Sequence, residues 1–523
     1  MVGKDKECTH HMLLKSVFKV GSLTLLSRIF GFIRDILTAS YLGAGPIADA
    51  FFVAFRLPNF FRRLFAEGAF SAAFVPIFSR ILTQNGKAAA LAFAEHSMAA
   101  LITILIVLTA LAEFFMPSVM YIIAPGFVDS PDQFSLAVEF GRITFPYLLF
   151  ISLVALMGGV LNSLDKFAAF AAAPILLNLT LIFSLLVLAR ETPTPGHAMA
   201  WGVFIAGILQ FLFLLLDCRR HGVNLKLKRP TLTPEVRKLG KLVLPGAFGA
   251  GVMQINLLVS TILASFLPTG SVSYLYYADR ISQLPLGVIG IAIGTALLPI
   301  LSKQIRSDNM AQASTTQNHG IELGLMMAIP ASVAMLTIPD VILSILFERG
   351  AFNAGTTAAA AAALQALGAG VPAYILVKVL APGFFAREDT KTPVKIAMVS
   401  VALNITLNLI LMQHYLHVGI AMGTAIAAWV NAGLLGFILH RRGFLALSRE
   451  TIKNTGLIIA AALLMGAALL YLKQFSIGDS FWAGVIYLMG LVVAGKAVYF
   501  TGLVATGVLN RKRLKVLTKG TTS

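Results

Sequence analysis

The chain has 523 residues, of which 58% are hydrophobic and only 12% are charged. Soluble proteins carry about 25% charged residues, so most of this chain is predicted to have lipid as its solvent. The formal net charge of +18 lies mostly in short segments between apolar runs, which is typical of membrane topology and argues against nucleic-acid binding.

The chain begins with a polar extension, residues 1–11, before a second methionine at Met12. A secretory signal needs an uninterrupted apolar core and a small-residue cleavage site. Arg28 and Arg34 interrupt the apolar run that follows. We therefore predict an uncleaved first membrane helix with a short cytoplasmic extension.

About fourteen apolar runs are long enough to cross a bilayer, which takes roughly 20 residues. We therefore predict an all-α polytopic membrane protein. The runs lie at 14–42, 48–82, 90–123, 136–163, 167–189, 196–217, 238–267, 272–303, 319–347, 357–386, 394–413, 417–440, 452–473 and 480–507. Several are longer than the hydrocarbon layer, which predicts tilted or kinked helices.

The loops between these runs alternate in charge. Loops after even-numbered runs are rich in lysine and arginine, as at 219–238 and 441–453, and both termini are basic as well. Loops after odd-numbered runs, such as "GAGP" and "LPTGS", are poor in both residues. Because basic loops remain in the cytoplasm, both termini are predicted to be cytoplasmic.

Two pairs of segments indicate an internal repeat. "ASYLGAGPIADAFFVAFR" from Ala39 resembles "ASFLPTGSVSYLYYADR" from Ala264, and "FSAAFVPIFSR" from Phe70 resembles "IGTALLPILSK" from Ile293. Both pairs are offset by roughly 224 residues, or six predicted helices. Such a repeat predicts two parallel six-helix lobes around a central cavity, followed by two extra C-terminal helices, which is a transporter architecture.

The second run carries five charged residues in an otherwise apolar helix. Asp49, Arg56 and Arg63 are seven residues apart, nearly two helical turns, and Glu67 continues the same stripe. Arg62 lies about 100° away from Arg63 on the helix. Because a charge at the bilayer centre costs roughly 2.5–3.5 kcal/mol, the stripe is expected to face a polar interior.

The charges inside the membrane are net positive over both lobes. The second lobe adds Asp279, Arg280 and Lys378, so the cavity is expected to bind an anion. One guanidinium group can donate hydrogen bonds to two phosphate oxygens at once, and several arginines together can bind a diphosphate. Arg34 is adjacent to Asp35, and Asp279 is adjacent to Arg280. The alternative for each pair is a purely structural role, as a buried ion pair or as charged side chains that extend from a helix end to the membrane surface.

The sequence contains no recognisable catalytic or metal-binding motif. The sequence has no "HExxH" and no "GxSxG", and the two cysteines give neither a disulfide framework nor a metal-ligand spacing. Gly287, Gly290 and Gly294 are spaced for close helix packing rather than for nucleotide binding. We predict a transporter with no catalytic residue, cofactor or metal site, driven by membrane potential, an ion gradient or the gradient of its substrate.

Four longer segments resemble a known family. "SRIFGFIRD", "DAFFVAFRLPNFFRRLFAEGAFSAAFVP", "YYADRISQLPLGVIGIAIGTALLPILS" and "KVLAPGFFAREDTKTPVKIA" are similar to signature segments of the MurJ/MviN family. These are lipid II flippases of peptidoglycan synthesis within the multidrug/oligosaccharidyl-lipid/polysaccharide exporter superfamily. The resemblance extends from Met12 to about Lys515.

The resemblance implies a fold that agrees with the repeat. It implies fourteen helices, two lobes around a V-shaped cationic cavity, and a groove on the last two helices for the lipid tail. The corresponding divisions are a polar extension (1–11), an N-lobe (12–219), a basic cytoplasmic linker (220–237), a C-lobe (238–442), the two groove helices (443–509) and a basic cytoplasmic tail (510–523).

The resemblance also assigns site residues. It implies that Arg34, Arg62 and Arg280 hold the substrate diphosphate, so that Arg62 rather than the stripe makes the contact, with a kink at Pro58 rotating the helix. Residues expected to line or gate the cavity are Arg28, Asp35, Asp49, Arg56, Asn59, Arg63, Glu67 and Asp279. Some members bind sodium in the C-lobe, where this chain has Asn256, Asn404 and Asn408 but no carboxylate cluster, so no sodium site is predicted.

The implied function is movement of lipid II from the cytoplasmic to the periplasmic leaflet by alternating access. It implies a protein of the bacterial inner membrane that serves cell-wall biogenesis and cell shape. The expected partners are lipid II, membrane lipids and cell-wall synthesis or division proteins, and the chain is expected to act as a monomer.

Two alternatives remain open. One is an exporter of another polyprenyl-diphosphate-linked sugar or of a drug, although a drug exporter for cations would be expected to have an acidic cavity. The other is a membrane glycosyltransferase or a scaffold, but a transferase would need acidic catalytic residues and a longer loop domain.

Overall fold

The computed structural model describes residues 2–63, 70–475 and 480–509, including their side chains except at 2–18, at most positions within 244–255 and at three positions within 288–292. Every regular element in these ranges is helical. The chain divides into two compact units. Unit 1 comprises Met1–Val272 with Arg349–Phe352, and unit 2 comprises Ser273–Glu348 with Asn353–Ser523.

Unit 1 contains nine α-helices in its described part. They are α1 (Val2–Leu42), α2 (Pro46–Phe61), α3 (Phe70–Phe114), α4 (Met116–Ile123), α5 (Pro131–Thr144), α6 (Tyr147–Ser163), α7 (Ala168–Leu186), α8 (Pro195–Arg220) and α9 (Pro234–Ser265). Short 3₁₀ turns occur at Pro125–Asp129 and Leu188–Arg190.

Unit 2 begins within the first turn of its first helix. Its described helices are α10 (Ser271–Pro285), α11 (Ile291–Arg306), α12 (Met310–Thr337), α13 (Pro339–Phe347), α14 (Ala354–Phe385), α15 (Lys391–Arg441), α16 (Arg449–Leu472) and α17 (Phe481–Ala505). A π-helical turn, Leu286–Gly290, joins α10 to α11.

Several helices begin where the local sequence favours it. α8 and α9 both start with proline at the first helical position, where the missing N–H costs nothing. The hydroxyls of Thr194 and Thr233 cap these helices by accepting from the amides of His197 and Val236.

Two long helices contain sharp bends. Gly86 in α3 has φ 83°, which glycine adopts at no steric cost. Leu416 in α15 has φ 50° and ψ −132°, a conformation that strains a residue with a side chain. The bend at Leu416 separates the predicted runs 394–413 and 417–440.

The all-helical membrane fold is confirmed, whereas fourteen crossings stay a prediction. Within the described residues, nine helices are long and apolar enough to cross a membrane. The predicted run 48–82 is divided between α2 and α3, because α2 ends at Phe61. α2 has only 16 residues and carries charges, so length and hydropathy alone do not identify it as a crossing.

The predicted lobe boundaries and the contact-based units follow different criteria. The repeat assigns residues from 238 onward to the second lobe, whereas α9 belongs by its contacts to unit 1. A repeat describes which helices are equivalent in sequence, and a unit describes which helices pack together. The division into lobes therefore stays a prediction.

Candidate functional site

Arg34 lies in α1 with 8% of its surface exposed. Its Nε and Nη2 donate to Asp35 Oδ1 at 3.2 and 2.6 Å, and its Nη1 donates to Asn178 Oδ1 at 2.9 Å. A guanidinium has five N–H groups. Three are used in these bonds, so two N–H groups of Arg34 have no acceptor among the described residues and remain available to a ligand. Arg34 is thus an oriented and partly neutralised cation.

Asn178 in α7 is the second partner of Arg34, and the sequence did not single it out. Its Nδ2 donates to the Ser27 carbonyl of α1 at 2.9 Å, so one amide ties α7 to α1 at two points. The available signal was a lone asparagine in the apolar stretch "PILLNLTLIF". Buried amides are nearly always hydrogen-bonded, but the sequence does not identify the partner.

Asp49, the first residue of the predicted stripe, is only 1% exposed. Its Oδ2 accepts from the backbone N–H of Gly270 at 2.6 Å. Gly270 has φ 99° and lies in the turn between α9 and α10. The carboxylate therefore binds the backbone of a turn, a partner that no side-chain periodicity reveals.

The other charged residues of α2 differ in exposure. Arg56 is half-buried and Arg63 is exposed. Arg62 follows the end of α2, and its Nε donates to Asn59 Oδ1 at 3.3 Å. Pro58 lies inside α2, which continues past it to Phe61. The Arg62 side chain is thus bound to a residue of α2 three positions before it.

The predicted site also includes Arg28, Glu67 and Arg280. Arg28 of α1 is exposed, and Glu67 lies outside the described residues. In unit 2, Arg280 donates from Nε and Nη2 to the Tyr276 hydroxyl at 3.2 and 3.1 Å. The same guanidinium carbon lies 5.0 Å from the centre of the Tyr276 ring.

Asp279 accepts a hydrogen bond from Gln283 Nε2 in the next turn of α10. Tyr276 and Gln283 are each four residues from their partners, the spacing at which helical side chains meet. Neither residue was predicted from the sequence, although this spacing could have identified both. The bonds described here hold Asp279 and Arg280 on α10.

The structure thus brings together two groups within unit 1: Arg34 with Asp35, and Arg62 with Asn59. Asp49 binds the backbone of a turn, and Asp279 and Arg280 form hydrogen bonds within α10. In the described ranges, no three histidine, cysteine or acidic side chains are grouped as metal ligands. The arginines can donate hydrogen bonds to an oxyanion.

The backbone leaves α-helical geometry at two points that the predicted repeat would make equivalent. Arg62 and Arg63 form a π turn directly after α2, and Leu286–Gly290 form one directly after α10. Residue 62 plus the offset of roughly 224 gives 286. π turns are rare and frequently occur at functional sites, and these two lie near Arg62 and Arg280.

The sequence matches a family model described as "Lipid II flippase MurJ" over residues 38–493. A "Probable lipid II flippase MurJ" of Rhizobium tropici is 41% identical over 497 residues, covering 93% of each chain. A protein of Vibrio cholerae with the same description is 39% identical and covers 97% of this chain and 98% of its own. The "Lipid II flippase MurJ" of Burkholderia cenocepacia is 36% identical over 457 residues.

Solved structures are also similar to this chain. "Lipid II flippase MurJ, inward closed conformation" aligns with a TM-score of 0.78 at 27% identity and covers 92% of this chain and 97% of that one. An inward-facing multidrug resistance MATE family transporter of the MOP superfamily aligns with a TM-score of 0.66 at 15% identity over 82% of this chain. The latter similarity concerns the fold alone.

Proposed function

This chain belongs to the MurJ family of lipid II flippases, and from that membership we propose that it moves lipid II from the cytoplasmic to the periplasmic leaflet. The observation that carries the proposal is the family match over residues 38–493, with relatives that align over nearly their full length. The chain is accordingly a multi-pass membrane transporter and not an enzyme.

Arg34, Arg62 and Arg280 hold the diphosphate of lipid II in this proposal. Arg34 supports it best, because its buried guanidinium is oriented by Asp35 and Asn178 and retains two N–H groups. Guanidinium groups bind phosphate oxygens bidentately in a way that an ammonium group does not. Asn59 accepts from Arg62 and Tyr276 accepts from Arg280, so each guanidinium is oriented by a nearby side chain.

Transport proceeds by alternating access, with the two predicted lobes rocking about the bound headgroup. The chain lies in the bacterial inner membrane with both termini in the cytoplasm, as the alternation of basic loops predicts. Membrane potential acts on the arginines at about 2.3 kcal/mol per elementary charge per 100 mV. The lipid tail lies along the last two helices, and cell-wall synthesis or division proteins are expected partners.

Flipping is tested by acute depletion of the protein, followed by measurement of the lipid II headgroups exposed on the periplasmic face. The amount of lipid II headgroup on the periplasmic face should fall when the protein is depleted and should recover when wild-type protein is supplied. Unchanged exposure would refute the proposed function. Native mass spectrometry with lipid II and with another polyprenyl-diphosphate-linked sugar distinguishes the substrates, since a preference for the second would favour the alternative exporter.

The arginine proposal needs separate variants. Arg34→Ala, Arg62→Ala and Arg280→Ala should each fail to restore growth of a depleted strain while remaining in the membrane. Arg34→Lys retains the charge without the planar fork, so partial function is expected if charge matters and loss if bidentate geometry matters. Arg190→Ala, an exposed arginine outside the predicted site, is the control. Full growth of all three alanine variants would refute the diphosphate contact.

A further inference from the structure

The segment between α8 and α9 is fixed to the surface of α3 within unit 1. Glu95 of α3 accepts from the backbone N–H of Lys226 at 2.9 Å and pairs with Lys228 Nζ at 2.7 Å. One residue further along α3, His96 Nδ1 lies 2.7 Å from the Thr231 hydroxyl. These contacts hold the connecting segment in place and leave Lys228 neutralised by Glu95.

A basic face begins where this segment enters α9. Pro234, Arg237, Lys238 and Lys241 are spaced i, i+3, i+4 and i+7, which places them on one side of the helix. With Leu232 they line a cavity of about 510 Å³. We call this concave surface the α9 basic pocket.

The opposite side of the same helix anchors the pocket. Val236 is 7% exposed and Leu239 is 5% exposed, so the α9 basic pocket lies on a helix packed against the rest of unit 1.

The three cations of the pocket carry uncompensated charge. No ion pair involves Arg237, Lys238 or Lys241 in the ranges that the structure describes. Glu235, the carboxylate next to them in sequence, is not part of the lining and likewise forms no ion pair there. Three unpaired positive charges around one cavity favour an anionic ligand.

Large apolar side chains are also exposed in this part of the chain. Leu232 in the lining is 64% exposed, and Leu227 before it and Leu242 on α9 are 71% and 49% exposed. Water disfavours such exposure, whereas the boundary between lipid headgroups and acyl chains accepts leucines beside lysines and arginines. The combination fits a lipid headgroup better than a soluble anion.

We propose that the α9 basic pocket binds the phosphate of an anionic phospholipid of the leaflet that faces the basic loops. The phosphate lies among Arg237, Lys238 and Lys241, and Leu227, Leu232 and Leu242 contact the glycerol and upper acyl region. A polyprenyl diphosphate shares the phosphate chemistry, but the exposed leucines next to a shallow basic surface fit an ordinary phospholipid that remains in its leaflet. The site does not depend on the transport function proposed above.

The test measures which lipid lies beside Leu232. Leu232→Trp is introduced into the full-length protein, which is reconstituted in phosphatidylcholine containing a low fraction of brominated phosphatidylglycerol. Bromine quenches a neighbouring indole, and the signal of the native tryptophans is subtracted with the wild-type protein. Each basic side chain near an anionic membrane surface contributes about 1 kcal/mol of binding free energy. At 1.4 kcal/mol per tenfold change in affinity, this corresponds to about fivefold enrichment of the anionic lipid.

Quenching should therefore exceed the value for random mixing, and Arg237→Gln with Lys238→Gln and Lys241→Gln should reduce it to that value. All three side chains are exposed, so the triple variant is expected to fold. A matched control removes the same charge elsewhere in unit 1, with Arg80→Gln, Lys166→Gln and Arg220→Gln, and should retain the enrichment.

Three results would overturn the proposal. These are equal quenching in the triple variant and the parent, equal loss in the control triple, and equal quenching by brominated phosphatidylcholine. An added arm supplies unbrominated undecaprenyl diphosphate in the same vesicles. If it displaces brominated phosphatidylglycerol more strongly than an equal fraction of unbrominated phosphatidylglycerol does, the pocket prefers a diphosphate lipid and the phospholipid assignment is wrong.

Discussion

Replacing Asn178 with leucine should destabilise unit 1 although the two side chains are similar in size. Asn178 is 6% exposed and bonds both Arg34 Nη1 and the Ser27 carbonyl at 2.9 Å. Asn178→Leu leaves a buried guanidinium N–H and a helix carbonyl without this partner. A buried polar group that loses its partner costs more than the bond contributed.

The expected magnitude follows from the membrane setting. A hydrogen bond to a charged group contributes about 1.5–3 kcal/mol in soluble proteins, but bonds between membrane helices average about 0.6 and reach about 1.7 kcal/mol. The lower values arise because helices that separate within the bilayer still find other partners. Two bonds, one of them to Arg34, therefore predict a loss of about 1–2 kcal/mol.

Titration with sodium dodecyl sulfate in mixed micelles measures this free energy of unfolding. Asn162→Leu is the matched control, because Asn162 Oδ1 is buried without a hydrogen-bond partner among the described residues and its replacement should change stability by less than about 0.5 kcal/mol. Asn178→Asp keeps the acceptor for Arg34 but loses the donor to Ser27, so it should fall between. Equal effects of Asn178→Leu and Asn162→Leu would refute the reasoning.

Three further predictions concern other contacts. Asp49→Ala removes the acceptor of the Gly270 N–H and should lower the melting temperature more than Asp49→Asn; equal losses would contradict the hydrogen bond. Thr392 and then Arg442 hold the pKa of Asp389 below its ordinary value, so its stabilisation is present at neutral pH and lost as pH falls below about 4. Asp389→Asn should therefore destabilise at pH 7 with a difference that shrinks in acid, and a growing difference in a pH series of melting curves would contradict this. Leu416→Gly relieves a strained φ of 50° and should raise stability by up to about 1 kcal/mol, whereas a loss in denaturant titration would count against strain there.

Hydropathy predicted most of the fold because burial in lipid requires long apolar helices. Loop composition likewise marked the bends, as in the "QHYLHV" stretch around Leu416 in α15. The polar contacts could not be predicted from the sequence in the same way. Asn178 and Ser27 are 151 positions apart in the chain, and Asp49 binds a backbone N–H 221 positions away. No spacing rule connects residues whose contact depends on how separate helices pack.

The α2 stripe shows why local geometry decides which arginine faces the protein. A spacing of seven residues places Asp49, Arg56 and Arg63 on one side only while the chain keeps 3.6 residues per turn. α2 ends at Phe61, and Arg62 and Arg63 have π-helical geometry, so the α-helical spacing of the stripe does not extend past Phe61. Arg63 is exposed, whereas Arg62 bonds Asn59 one turn back. The bond to Asn59 thus orients the Arg62 guanidinium, a contact that the seven-residue spacing of the stripe does not predict.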